Sequence, residues 1–422
     1  MAEKKKRRPS LSLRAQRKVR KMSTAPDLDE EGYVEKERFA SDKSKHSGRF
    51  GILKFLIPVM LIVTLLISYF IIVANHPVGI VEYFGSKFAS GGSGSGYDLS
   101  IFGGKPKYTL SDSGRYYVVT ETSVNCYNTS GKVIFERSHA YTEPIIKVAE
   151  TRYLLYGQGE TVITVSSLTD NLYVNNLEKS IITAAISDSG CYAVAAKSDG
   201  YDSAVYVYNK SNKKIYEWYS SGETVNALAL SEDGKTLAVA TVSVKDGNFS
   251  SNIYFLNFDS ADAIMKSSYG DDIVYGLYES GAGRFCAVFS RDIEFIDYKK
   301  NTVKTNESDY SVTVVKNINN KFIVLRNVAA NQDQSIIEIY KDNGELVSSF
   351  SVNNYITDFS FRSDNLYLLG ISKVYKYDIS GSLCAEADVN YDALYVEAVS
   401  SDSIACVRNS VIEKINLTKT GD

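Results

Sequence analysis

Five cysteines and three histidines are the residues of this chain best suited to metal or redox chemistry, and their spacing argues against both. Cys126, Cys191, Cys286, Cys384 and Cys406 form no CxxC pair, and His46, His76 and His139 lie far apart. A structural zinc site needs clustered thiolate and imidazole ligands, so no metal site is expected. An odd number of unclustered thiols also speaks against a disulfide framework, and each is expected to pack as a small apolar residue within a strand. The chain has no P-loop, no GxSxG, no HExxH and no glycine-rich dinucleotide turn, so no catalytic residue is assigned and no cofactor is expected. Carboxylates are plentiful, which leaves a glycosidase-like pair open, but no spacing singles one out. Five Asn-x-Ser/Thr triplets, at Asn128, Asn209, Asn248, Asn306 and Asn416, matter only in a eukaryotic secretory setting.

Binding chemistry is better represented. Three connections between apolar runs are longer than a hairpin needs: 197–203 (KSDGYDS), 241–251 (TVSVKDGNFSS) and 326–335 (RNVAANQDQS). They carry Tyr201, Lys245, Phe249, Asn331 and Gln332, a mixture of aromatic anchors and adaptable polar groups such as interfaces favour. Long loops are often functional, although the same segments read equally as tolerated insertions.

These loops need a frame, and the sequence repeats one. A hexapeptide recurs eight times: SVNCYN (123–128), NLYVNN (171–176), AVYVYN (204–209), NIYFLN (252–257), DIEFID (292–297), IIEIYK (336–341), KVYKYD (373–378) and VIEKIN (411–416). Its second position is always aliphatic. Before each copy stands an apolar run such as RYYVV (115–119), RYLLY (152–156) or RFCAV (284–288), suited to a strand buried on both faces. Tight turns precede many of these runs, as in SDSG (111–114) and SEDG (231–234), where Asp, Ser and Gly supply side-chain caps and positive φ. Alternating strands such as ITAAIS (182–187) come before the turns, and weaker strands such as KVIFERS (132–138) follow the hexapeptides. Each unit thus reads as strands a, b, c and d, with the hexapeptide as c. A recurrence near this period is the mark of a β-propeller.

The eighth unit runs out of chain after VIEKIN, while YDLSIF (97–102) precedes the first inner strand with no blade of its own. YDLSIF is therefore expected to supply the outer strand of the last blade, closing the ring and leaving no half-blade edge. The fold expected is all-β, an eight-bladed β-propeller, with an open seven-bladed ring as the alternative.

A second element precedes the ring. Residues 55–74, FLIPVMLIVTLLISYFIIVA, hold no charge and are long enough to cross a bilayer as a helix. Pro58 is expected in its first turn, where a missing N–H costs little. Residues 1–50 contain fifteen Lys/Arg and eight Asp/Glu, a net +7. The whole chain is at −3, so residues 51–422 carry −3 − 7 = −10. By the positive-inside rule the tail stays cytoplasmic and the ring lies outside, a signal-anchor topology. A cleaved signal peptide is the competing reading, normally shorter and ended by a small-residue cleavage site. The organisation expected is a basic disordered tail (1–50), a transmembrane helix (51–75), a juxtamembrane Gly/Ser tether (76–96) and an extracytoplasmic propeller (97–422). GGSGSG (91–96) reads as a flexible linker that lets the ring tilt. The tail could bind anionic lipid by charge, or could simply fix orientation. Its acidic stretch at 27–42 dilutes any nucleic-acid footprint, and no nucleic acid is expected as a partner.

Taken together, SDSGRYYVVTE (111–121), AVYVYN and SEDGKTLAVA (231–240), with the uncleaved helix and glycine-rich tether, resemble a family of uncharacterised, single-pass, membrane-anchored WD40-like propeller proteins of Gram-positive bacteria. The resemblance covers about residues 50–420 and rests on structural motifs. It implies fold and placement and carries over no functional residue. A looser similarity is to the propeller lipoproteins of outer-membrane assembly, from which the chain departs in lacking a lipobox cysteine and a Trp-rich repeat; Trp218 is its one tryptophan. The function expected is a scaffold binding a protein or a cell-envelope polymer. The alternatives are an envelope enzyme, such as a glycan hydrolase on the same fold, and a purely structural spacer.

Overall fold

In the computed structural model, residues 47–75, 78–281, 283–328 and 333–419 are described. The basic tail, His46, His76, Asn331 and Gln332 lie outside them. Two units divide the chain, Met1–Thr64 and Leu65–Asp422. Helix α1, Ser47–Asn75, begins in the first, and Pro58 lies inside it. The expected first-turn placement of that proline is wrong because the helix starts well before the uncharged run. Side chains of α1 are described from Leu56 to Phe70, all of them exposed. No helix among the described residues is long and apolar enough to cross a membrane.

Eight antiparallel sheets make up the second unit, each with four ring strands. The blades span 106–138, 144–176, 181–220, 224–270, 276–306, 314–352, 358–388 and 395–416, the last completed from the N-terminal side. Leu99 and Ser100 pair antiparallel with Ile412 and Val411, and Ile101 N donates to Ser410 O at 2.9 Å. The ring is therefore eight-bladed and closed as expected, although the closing strand is only Leu99–Ser100. Thr418–Lys419 adds a fifth strand to the outer edge of the seventh blade, opposite Ala385 and Glu386.

One copy of the hexapeptide is misassigned by the sequence pattern. NLYVNN is the outer strand of the second blade, paired with VITVSS (162–167), which is the c strand. The link after RYLLYG is only residues 158–161, so the very next run must fold back onto it. Counting from Ile163 also removes the irregular spacing of 48 and 33: 163 − 124 = 39 and 205 − 163 = 42.

Apolar side chains pack between neighbouring blades, one cluster for each of the eight junctions. The b strands are buried along most of their length, as in Tyr116, Tyr117, Val118 and Val119. Cys126, Cys286 and Cys406 sit in this core as free thiols, while Cys191 and Cys384 are half-buried. Burial pushes the Cys126 and Cys406 thiols up to about 12, which makes them poor nucleophiles.

Basic residues at the head of several b strands latch one blade to the next. Arg115 Nη2 donates to Glu150 O at 2.7 Å, Arg152 Nη1 to Lys210 O at 2.7 Å, and Arg284 Nε to Asp342 O at 3.2 Å. Lys321 Nζ reaches Asp364 Oδ1 at 2.9 Å. A charge-assisted bond to a neighbouring turn adds to the apolar packing between sheets and resists their radial slippage.

The segment read as a flexible stalk is ordered against the ring. Helix α2, Ile80–Ser90, lies on the face formed by the a–b and c–d turns. Beyond it, Asn128 Nδ2 donates to Gly92 O at 3.0 Å and Gly94 N to Ser130 Oγ at 3.0 Å. A Cβ on Gly94 would stand 2.2 Å from Lys132 N. Gly94 thus serves close backbone approach to the first blade rather than freedom.

Candidate functional site

In this topology the b–c turns and the links between blades share one face, and hydrogen bonds tie the two sets together. His139 N donates to Thr122 O at 2.8 Å, Val312 N to Ser290 O at 2.8 Å, and Val389 N to Ser372 O at 2.9 Å. Five successive links, from the fourth blade round to the first, each project an aromatic ring into solvent: Tyr275, Tyr310, Tyr355, Tyr391 and Phe102. Tyr391 is 84% exposed and Tyr275 65%, values that serve no folding purpose. Ile371, in the b–c turn of the seventh blade, is 67% exposed beside this arc. A cavity of about 410 Å³ opens between the fifth and sixth blades, lined by Tyr275, Val288, Phe289, Val312 and Thr313. An arc of aromatic rings with an adjoining pocket is the arrangement that protein interfaces favour at their anchors.

Of the residues singled out from the sequence, Tyr201, Lys245 and Phe249 lie on the same face but do not form one site, and Asn331 and Gln332 lie outside the described residues. Tyr201 is half-exposed and packs against Tyr219, ring centroids 4.8 Å apart and planes tilted by 35°. Both line a groove of about 800 Å³ between the second and third blades, with Val174, Lys179, Tyr206 and Lys214. Phe249 and Lys245 belong instead to the fourth blade. Residues 241–251 are not a loop: strands Thr236–Lys245 and Asn248–Asn257 run on as a hairpin closed by Asp246 and Gly247, φ 52° and 82°. Positive φ at both turn positions matches the twist of the strands and lets them extend. The hairpin places Phe249 opposite Val244, both exposed.

Of the described long connections, 241–251 is thus strand and not loop, and the exposed link aromatics stand outside the segments that loop length singles out. A signal for them exists in the sequence, since an aromatic residue recurs in six of the eight links, Tyr141 being the sixth. It is recognisable only once the outer strands are placed correctly.

The central channel is the second candidate. A cavity of about 450 Å³ is lined by the inner strands of the first six blades. Lys147 projects into it, wetted by the lumen though surrounded by protein, and burial lowers its ammonium pKa. Deeper in the wall, Lys316 Nζ donates to Asp358 Oδ1 at 2.8 Å, and Asp358 Oδ2 accepts from Val396 N at 2.9 Å. Glu397 accepts from Ser111 and, at 3.2 Å, from Ser360. Burial raises the Glu397 carboxyl, with Lys316 and Ser111 opposing.

At the a–b mouth stand Asp112, Asp188, Glu232 and Glu279. Burial and then the neighbouring carboxylates raise Asp188 to about 6 and Glu279 to about 7. Each also caps a turn: Asp188 Oδ1 accepts from Glu150 N at 2.7 Å, and Glu279 Oε1 from Gly281 N at 2.7 Å. No group of three or more His, Cys, Asp or Glu among the described residues is placed to hold a metal ion.

Raised carboxyl pKa values make a checkable statement about stability. The folded state holds these protons more tightly than the unfolded chain, whose carboxyls titrate near pH ~4. The stability contribution is present below that pH and is lost as pH rises through about 6 and about 7. Asp188→Asn and Glu279→Gln keep the acceptor and remove the charge. Each variant is expected to gain on the wild type between pH 5 and pH 8 by on the order of 1–2 kcal/mol, read by urea denaturation at both pH values. A difference that stays constant with pH would show that the carboxyls titrate normally.

The fold and these surfaces define an eight-bladed β-propeller with one aromatic-rimmed face and one acidic channel mouth. Residues 104–417 match a family of unknown function (DUF5711), and the chain belongs to that family. Among solved structures it is similar to BamB from Moraxella catarrhalis, at 10% identity and a TM-score of 0.49, over 75% of this chain and 98% of that one. No curated protein matches the sequence.

Proposed function

We propose that this protein is a membrane-tethered, extracytoplasmic propeller that binds a protein partner through its link face. The observation that carries the binding reading is the arc of five exposed aromatics, Tyr275, Tyr310, Tyr355, Tyr391 and Phe102, beside an open cavity. A ring that served only as a spacer would gain nothing from rings held in water at successive blade junctions. The Tyr201–Tyr219 groove, with Lys179 and Lys214, suits an extended segment or an anionic envelope polymer as a second contact. Tethering is supported by the uncharged run 55–74 and the +7 tail before it.

Two experiments test this. In native membranes, cross-linking to the wild-type chain is compared with a Tyr275→Ser/Tyr355→Ser/Tyr391→Ser variant. Recovery of a specific partner is expected to fall at least about tenfold, since aromatic anchors carry roughly 2 kcal/mol or more apiece. Equal recovery with an intact ring would place the interface elsewhere. Orientation is checked with single cysteines at Ser211 and Ser10: the first should label with an impermeant maleimide in intact cells and the second should not.

A second reading, an envelope glycan hydrolase, draws on the raised Asp188 and Glu279 carboxyls at the channel mouth. It requires glycan cleavage that Asp188→Asn and Glu279→Gln abolish.

A further inference from the structure

Helix α2 is amphipathic the wrong way round for a helix packed on a protein. Its polar stripe, Glu82, Ser86 and Ser90, repeats every four residues and faces the ring. Arg152 grips Glu82 with two bonds, Nε to Oε1 at 2.6 Å and Nη2 to Oε2 at 2.8 Å. Ser86 is buried, and its Oγ accepts from Arg115 Nη1 at 3.3 Å. Lys132 Nζ donates to Ala89 O and to Gly91 O, both at 2.7 Å. The opposite stripe is apolar, Val81, Phe84 and Phe88, and it points away from the protein. Val81 is 87% exposed and Phe88 79%, with Phe84 and Phe88 rings 6.4 Å apart. Fixed polar contacts on one side prevent the helix from rolling to hide that stripe. In water such an arrangement wastes three large apolar side chains, so the stripe calls for an apolar medium.

The chain itself says which. Residue Ala74 ends the uncharged run and Ile80 opens α2. Six residue steps span at most about 20 Å even when fully extended. The headgroup zone of a bilayer is roughly 5–8 Å deep on each side. If residues 55–74 cross a membrane, α2 cannot lie far from its outer surface. We propose that the Val81–Phe84–Phe88 stripe inserts into the outer interface of the bilayer, as interfacial helices do. This inference rests on the tethering proposed above and deepens it. It makes the tether a rigid bracket. The a–b and c–d turn face, with its acidic channel mouth, then looks toward the membrane, and the link face with its aromatic arc looks away from it toward partners.

The test uses the full chain, with Cys191→Ser and Cys384→Ser, reconstituted in vesicles of equal parts phosphatidylcholine and phosphatidylglycerol. The three remaining thiols are buried in the ring. An environment-sensitive fluorophore is attached in turn to single cysteines at Phe88, Tyr391 and Val63. Expected is quenching of the Phe88 label by lipids spin-labelled near the headgroup, several-fold stronger than that of the Tyr391 label, with the Val63 label quenched best by mid-chain spin labels. A Phe88 label as wet and as unquenched as Tyr391 overturns the bracket while leaving the anchor intact. A Phe88 label shielded from water but untouched by lipid quenchers, and dependent on protein density, shows a second copy covering the stripe and equally overturns it. An unquenched Val63 label, with the chain released by alkaline carbonate, overturns the tethering reading itself.

Discussion

Replacing Leu99 and Ile101 together by aspartate is expected to destabilise the ring by on the order of 3–5 kcal/mol and to drive it toward aggregation. Both side chains pack against the junction between the eighth and first blades, with Tyr116, Val118, Tyr127, Val407 and Ile412. The backbone between them supplies the hydrogen-bonded edge that Val411 and Ile412 would otherwise expose. Two charges set against this apolar junction would expel the strand, reopen the ring and leave the eighth blade with three strands and a free edge, a template for pairing with other chains. Chemical denaturation with light scattering reads both effects. Unchanged stability in the double variant would mean that the ring holds without its N-terminal strand.

Arg326 carries the second large effect. It stands first among the largest fully buried side chains of the described residues. Its Nε donates to Glu338 Oε2 at 2.9 Å, and its Nη1 donates to Arg291 O at 2.5 Å and Tyr310 O at 2.7 Å. Glu338 also accepts from Tyr340 OH at 3.0 Å. Arg326→Met fills much of the space but strands a carboxylate and two carbonyls, at an expected cost of about 3–5 kcal/mol. Adding Glu338→Gln should recover a good part of it, because the uncompensated charge is then gone. The same guanidinium holds the link that bears Tyr310. Arg326→Met should therefore also weaken partner capture through the aromatic arc under conditions where the ring is still folded. A loss of less than about 1 kcal/mol would show that the buried pair is replaceable by apolar packing.

How far the sequence reaches is visible in particular residues. Alternation in ITAAIS and continuous burial in RYYVV follow from local patterning, since period two and full burial leave direct traces in residue type. VITVSS leaves the same trace, yet NLYVNN was preferred as the c strand because it matches the other copies. Nothing local separates an inner strand from the outer one that follows it four residues later; pairing order does. The aromatic arc was unread for the same reason, because its members stand in links that are recognised only after the strands on either side are placed. Residues 241–251 show the converse error, a run of Ser, Lys, Asp and Gly that looks like a loop and is held as a hairpin by ten paired positions.

The sequence by itself determined the all-β class, the eight repeats, the closure of the last blade by residues ahead of the first and the scattered unpaired thiols. Those properties are fixed by composition, period and chain order. Only the tertiary structure decided that the Gly/Ser segment is pinned to the first blade, that α2 faces the ring with its polar stripe, and that the exposed aromatics fall on one face. Each of these depends on which side of a residue meets the rest of the molecule, and that is set by tertiary contacts such as Gly94–Ser130, Ser86–Arg115 and Glu82–Arg152, whose partners no local pattern joins.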